Sequence, residues 1–290
     1  MSGFGYRHPD GWIEPVIHPS DTRTKIHYRL LPMTRSIIGE LFTPEQAQDH
    51  LRLIEDHLSF PDGVRLMNKP VSYQGGVRVL FRRAEESAHF GREIGLQYVH
   101  AHIRYIEAMC KIGQARKAYD AILQILPITI QDQVSNAVTR QSNAYFSSSD
   151  ADVRDRDEAE QLFDALRTGH VRVKGGWRIY SSGPGILLNQ IVSNFLGLRL
   201  SYDDVVIDPI LPTQLDGLQF GFAMNEKPIT VIYSIASDEP AQVQSVTING
   251  TETEFRREPN PYRPGGVRIP RADFYPLLTD GTNRILISVA

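Results

Sequence analysis

Gly183-Pro184-Gly185-Ile186-Leu187-Leu188-Asn189-Gln190-Ile191-Val192-Ser193-Asn194-Phe195-Leu196-Gly197 reads as the last helix of the chain, and the residues after it change character. Pro184 suits a first helical position, Ile186, Leu187, Ile191, Phe195 and Leu196 supply apolar positions, and Gly197 is a C-terminal stop. Beyond Leu200 come short β-rich runs at 205–207, 219–222, 229–235, 243–248, 267–269 and 284–289. Asn249-Gly250 follows one of them as a type I′ hairpin turn, a better reading of Asn249-Gly250-Thr251 than a glycosylation acceptor. The spacing suits a small antiparallel sandwich. The chain therefore divides near residue 200, and its class is α+β with more than one domain.

Before that boundary the pattern is helical. Thr43-Pro44-Glu45-Gln46 is a capping box with Pro at the first helical position, and Ala47, Leu51, Ile54 and Leu58 follow on one face. Further helices are expected over about 101–112, 114–126 and 155–167. Residues 1–40 hold many Pro, Gly and His without a sustained period and read as irregular. Tightly joined helices separated by long Gly- and Ser-rich loops suggest an α/α barrel or solenoid with the loops at one functional end. The helices are too few to close a twelve-helix barrel.

Composition excludes several classes. Lys plus Arg (31) nearly balance Asp plus Glu (34), and a net charge of -3 provides no field to hold nucleic acid or an anionic membrane. No stretch approaches the roughly 18 to 20 apolar residues of a membrane span, and residues 1–10 lack the basic and apolar regions of a signal peptide. Cys110 is the single cysteine, which excludes an internal disulfide framework and fits a reducing compartment. A soluble cytoplasmic protein is the expectation.

Three segments are candidates for chemistry. Between Arg82 and Glu107 the chain is dense in ionisable groups, and Gly91-Arg92-Glu93-Ile94-Gly95 interrupts helical periodicity ahead of His100 and His102. Such a run is either a solvated face or a site. Gly175-Gly176-Trp177-Arg178-Ile179-Tyr180-Ser181-Ser182-Gly183 leads into a helix, where backbone N–H groups and the helix dipole suit an anion, unless it is an ordinary capped start. The run from Arg140 through Gln141, Tyr145 and the serines to Asp150 carries the hydrogen-bonding groups and aromatic faces that suit a sugar, though loops of this composition also occur without one. The two histidines have no companion at a familiar ligand spacing, so no metal is expected.

Together these segments resemble glycoside hydrolase family 94, the cellobiose, chitobiose and cellobionic acid phosphorylases and the phosphorylase-like end of cyclic β-1,2-glucan synthases. Arg92-Glu93-Ile94-Gly95-Leu96-Gln97-Tyr98-Val99-His100 is similar to the family's Lys-Glu-x-Gly-x-x-aromatic-x-His stretch, with Arg for Lys. Trp177 through Ser182-Gly183 is similar to its Trp and Thr-Gly phosphate motif, with Ser for Thr. Val206-Ile207-Asp208-Pro209-Ile210-Leu211-Pro212 and Leu215-Asp216-Gly217-Leu218 resemble its junction between barrel and jelly roll.

The resemblance implies a partial (α/α)6 barrel over residues 1–200 and a jelly-roll-like β-sandwich over 201–290. Arg92, Glu93, Tyr98, Gln141 and Tyr145 would bind sugar, and His100, Arg178, Ser182 and Gly183 would bind phosphate. No cofactor is implied, because inorganic phosphate is the co-substrate, and the partners would be a β-glucoside oligosaccharide and phosphate. An inverting phosphorylase uses phosphate as nucleophile, so it needs one carboxylic acid to protonate the leaving oxygen, and it yields α-glucose 1-phosphate. The family's general acid is an Asp in a Trp-rich segment upstream of everything matched, with no counterpart in these residues. A truncated chain, inactive alone and pairing with a separate N-terminal half or a second copy, is the expectation. A non-catalytic glycan-binding protein and a glucan-synthase chain-length domain are the alternatives.

Overall fold

The computed structural model describes residues 28–69, 97–176, 183–237 and 242–290, and these form a mixed helix-and-sheet, α+β, chain. They divide into two compact units. One takes the described residues up to Ala108 together with Asp120–Leu187; the other takes Met109–Tyr119 and the described residues from Leu188 onward.

The first unit opens with α1 (Leu30–Ile38), in a stretch expected to be irregular. No side chain caps it, but Leu30, Met33 and Ile37 recur at helical spacing and are 0% exposed, so burial of one face stabilises the helix where local signals do not. In α2 (Pro44–His57) the capping box forms as expected: Gln46 N–H donates to Thr43 Oγ1 at 3.2 Å, and Thr43 N–H donates to Gln46 Oε1 at 3.0 Å. The hairpin β1 (Ser59–Phe60) and β2 (Gly63–Val64) follows.

Next come β3 (Gln97–Tyr98), running directly into α3 (Val99–Ile112), then α4 (Ala115–Leu123), α5 (Ile130–Gln133) and β4 (Ser148–Ala151). The helix expected over 155–167 is two, α6 (Arg156–Gln161) and α7 (Phe163–Arg167), broken at Leu162. With β5 (Val173–Gly175), the strands β3, β4 and β5 make an antiparallel three-stranded sheet in that order. Phe60, Ile130, Val134, Ala151, Val153, Phe163, Leu166 and Val173 belong to one buried cluster of this unit.

The helix α8 (Gly183–Gln190) continues as a π-helical turn over Ile191–Phe195 and stops at Gly197, where φ is +71°. Two sheets follow. The first has the order β11 (Thr251–Glu252), β10 (Val243–Ile248), β14 (Asn283–Val289), β9 (Lys227–Ile235), β8 (Gln219–Met224). The second has the order β12 (Arg256–Arg257), β13 (Val267–Pro270), β7 (Asp204–Ile207), β6 (Leu198–Ser201). Burial alternates along β9, β13 and β14, so each sheet hides one face. All pairs are antiparallel except β9 with β14, which run parallel. The expectation of a wholly antiparallel sandwich is corrected there, because alternation reveals a strand's buried face and not its partner.

The Asn249-Gly250 turn has φ of 50° and 85°, as type I′ requires. Asn249 Nδ2 donates to Leu277 O at 2.9 Å and to Asn283 Oδ1 at 2.8 Å, so the nitrogen that glycosylation would modify holds the turn onto β14. Within the same unit the end of α3 is held by side chains: Asn260 Nδ2 donates to Lys111 O at 3.0 Å and Arg263 Nε to Cys110 O at 3.3 Å, satisfying carbonyls that a helix end leaves open. Arg263 also forms a two-pronged pair with Asp208, both contacts at 2.9 Å. No described helix is long and apolar enough to cross a membrane.

Candidate functional site

The small sheet β3-β4-β5 gathers all three of the polar segments singled out by the sequence. Tyr98 pairs with Ser148, Gln97 with Ser149, Ser149 with Gly175 and Asp150 with Lys174. Directly opposed residues project on the same face and successive residues alternate, so Tyr98, Ser148, Asp150 and Lys174 share one face. The central strand β4, Ser-Ser-Asp-Ala, has no β-branched or aromatic residue. Its short polar side chains are accommodated because the backbone is satisfied by the ladder, extended by Gly176 N–H donating to Ser148 O at 3.0 Å.

On this face Tyr98 Oη and His100 Nδ1 lie 2.9 Å apart, which orients the imidazole at the start of α3. Tyr145 is close to Tyr98; burial, and then that neighbour, push its phenol pKa well above the usual tyrosine range. Its hydroxyl has no hydrogen-bond partner among the described residues. Gly183, the first residue of α8, lies flat against the Tyr145 ring: a Cβ there would overlap Cε1, Cζ and the hydroxyl. Tyr98, His100, Tyr145 and Gly183 are thus brought together, with the open N–H groups of a helix start beside an aromatic ring. Gln141 is exposed in the loop leading to Tyr145. Arg92, Glu93, Arg178 and Ser182 lie outside the described residues.

Ser148 and Asp150, which the sequence offered only as members of the Ser-rich run, belong on this face. Ser148 is 0% exposed, and Asp150 is half-buried with its carboxyl pKa raised, chiefly by burial and against the opposing pull of Ser148, Lys174, Arg140 and Arg65. Gly176 sits directly over both side chains and leaves no room for a Cβ. The available signal was the two-residue spacing of Ser148 and Asp150, which only a strand turns into a common face.

His102 has a different role from His100. Its ring is 0% exposed; Val64 N–H donates to Nδ1 at 3.1 Å, so Nε2 carries the proton and donates to Ala121 O at 2.7 Å. It ties β2 to the chain between α3 and α5 and faces no ligand. Burial lowers its pKa from 6.5 to about 4, partly offset by the Ala121 bond and Asp62. A folded pKa below the unfolded one means that the unfolded state takes the proton first. Stability is fully present above pH 6.5, falls between 6.5 and 4, and loses nothing more from this group below 4, a total of about 3 kcal/mol. Denaturant unfolding across that window should show this slope in the parent chain and its loss in His102→Gln; parallel profiles would remove His102 as its source.

Among the described residues no group of three or more His, Cys, Asp or Glu is placed to hold a metal ion. Cys110 is buried in α3.

Residues 197–285 match the glycoside phosphorylase C-terminal domain. The chain is also 48% identical over 256 residues to the 1,2-beta-oligoglucan phosphorylase of Listeria innocua, a match covering 88% of this chain and 23% of that protein. The chain therefore spans about a quarter of the length of the curated relative it matches.

Proposed function

Because this chain belongs to the glycoside phosphorylases of glycoside hydrolase family 94, we infer that it supplies the phosphate side and part of the sugar side of an inverting phosphorolytic site. The observation that carries this reading is the meeting of Tyr98, His100, Tyr145 and Gly183 at one sheet face. The substrate is a β-1,2-linked glucan, the class named by the Listeria relative, and inorganic phosphate is the co-substrate. The helical residues are then part of an (α/α)6 barrel and the strand-rich residues a jelly-roll-like sandwich.

In this reading the N–H groups that open α8 and the His100 ring face phosphate, with Ser182 and Arg178 joining them. Tyr98 fixes the orientation of the His100 ring, and that ring faces a phosphate oxygen in this reading. Phosphate approaches the anomeric carbon from the face opposite the leaving oxygen, the glycosidic bond breaks as the C–O bond to phosphate forms, and α-glucose 1-phosphate results. Donors fixed before the reaction offset phosphate charge beside the developing oxocarbenium ion. Tyr145, Arg92, Glu93 and Gln141 contact the glucosyl unit. The proton that the leaving oxygen needs comes from an Asp outside these 290 residues, so the chain alone binds without turning over.

Calorimetric titration with phosphate, and then with a β-1,2-glucooligosaccharide in its presence, tests this. Phosphate is expected to bind, and His100→Ala to weaken it by about tenfold or more, as losing a hydrogen bond to a charged group does. No binding by a folded sample contradicts the reading. Release of sugar 1-phosphate by the pure chain, abolished in Glu93→Gln, would instead place the acid within it.

A further inference from the structure

Arg140 opens the loop that carries Gln141 and Tyr145, and its side chain turns inward, leaving the residue 7% exposed. Its Nη2 donates to Ser149 Oγ at 2.8 Å, which joins the two ends of the loop. Ser149 is itself buried and sits in β4, paired with Gln97 of β3 and Gly175 of β5. The guanidinium carbon of Arg140 also stands 5.6 Å from the centre of the Phe146 ring. Phe146 is buried and lies against Gly175, where a Cβ would overlap its ring, just as Tyr145 lies against Gly183. One arginine therefore ties the loop to the central strand through Ser149 and to β5 through Phe146, the residue next to Tyr145.

Stability is a poor explanation for this arginine. Burial disfavours its charge more than the nearby Asp62 and Asp150 carboxylates favour it, and its hydrogen bond goes to a neutral hydroxyl. Its Nε has no hydrogen-bond partner among the described residues. A buried cation satisfied this incompletely costs free energy, and what it secures in return is the path of residues 141–148. Sugar recognition depends on such placement, because an aromatic ring that must be ordered on binding gives up affinity to do so.

We propose that Arg140 is a positioning residue: acting through Phe146 and Ser149, it holds the Tyr145 ring where a glucosyl unit meets it, and so sets glucan affinity without touching sugar or phosphate. This rests on the glycoside-binding reading above, in which Tyr145 contacts the glucosyl unit, and adds the residue that aims it.

The test is calorimetric titration with phosphate, and with a β-1,2-glucooligosaccharide in its presence, of the parent chain, Arg140→Met and Ser149→Ala. Arg140→Met keeps an unbranched stem without the donors. Ser149→Ala cuts the same hydrogen bond from its other end by removing one hydroxyl, so the test stands even where Arg140→Met does not fold. Both substitutions are repeated in a Tyr145→Ala background. The expected result is glucan affinity lowered about tenfold in each variant and phosphate affinity within about twofold of the parent. In the Tyr145→Ala background the same substitutions should change glucan affinity by less than about twofold, since the contact they aim is already gone. Unchanged glucan affinity in the folded variants would overturn the proposal. Equal losses with and without Tyr145, or phosphate affinity falling in step with glucan affinity, would overturn it too, because a merely structural arginine acts on the whole site. Failure of the parent itself to bind phosphate and glucan would overturn the underlying reading and this proposal with it, a result distinct from the others, which all require a parent that binds.

Discussion

Arg65→Ala is expected to destabilise the helical unit by about 3 to 5 kcal/mol, the cost of stranding a buried carboxylate. Arg65 and Asp62 are each 0% exposed and their side chains meet at 2.7 Å. The guanidinium carbon also stands 4.4 Å from the centre of the Phe60 ring, and Arg65 N–H donates to Leu58 O at 2.8 Å, so this pair closes the β1-β2 hairpin against the end of α2. Without Arg65 the Asp62 carboxylate keeps the desolvation and loses the attraction. Denaturant unfolding of Arg65→Ala, Asp62→Ala and the double variant checks this. The double variant should cost clearly less than the sum of the singles, since it buries no unpaired charge. Additive losses, or a single loss below about 1 kcal/mol, would show that the pair is not a buried unit.

Gly197→Ala is the second large effect, expected at about 2 to 6 kcal/mol from two causes acting together. The residue ends the helix that opens at Gly183, with φ of +71°, which L side chains rarely adopt. A Cβ would also overlap the backbone of Asp208 and Pro209, which cannot move because Asp208 N–H donates to Gly197 O at 2.8 Å and Arg263 grips the Asp208 carboxylate. Gly217 is the control: its φ is +78°, but a Cβ there meets nothing within 4 Å. Gly217→Ala should therefore cost only about 1 to 2 kcal/mol. Equal losses at the two glycines would mean that φ alone decides and that close backbone approach contributes nothing.

Local chemistry made some of this architecture legible. Thr43 and Gln46 announced α2, Gly197 announced the end of the last long helix, and Asn249-Gly250 announced its turn. Each signal acts through neighbours a few residues away, and in each case the side chain or φ angle does what the residue type favours. The α1 helix was missed because no side chain caps it and the stretch around it shows no sustained period, while the burial of Leu30, Met33 and Ile37 is a property of packing that the sequence does not display. The parallel pairing of β9 with β14 was out of reach for a similar reason, since 47 residues separate Ile235 from Asn283.

The candidate site shows the same division. The family resemblance marked Tyr98, His100, Tyr145 and Gly183, and the structure links them through Tyr98 and Tyr145. Ser148 and Asp150 were marked only as members of the Ser-rich run, because their strand has little intrinsic β preference and is created by its pairing with β3 and β5. His102 was tempting from its spacing to His100. Two positions along a helix point away from each other, and its ring holds the backbone of Val64 and Ala121.

A double-mutant cycle on phosphate-dependent glucan affinity tests most directly whether these segments make one site. Tyr98→Phe removes the hydroxyl that orients His100, and Tyr145→Phe removes the one beside it. If Tyr98, His100, Tyr145 and Gly183 act as a unit, the pair should be non-additive by about 0.5 kcal/mol or more. Losses that add within error, or no loss in either variant while the parent binds, would contradict a single sugar and phosphate face on β3-β4-β5.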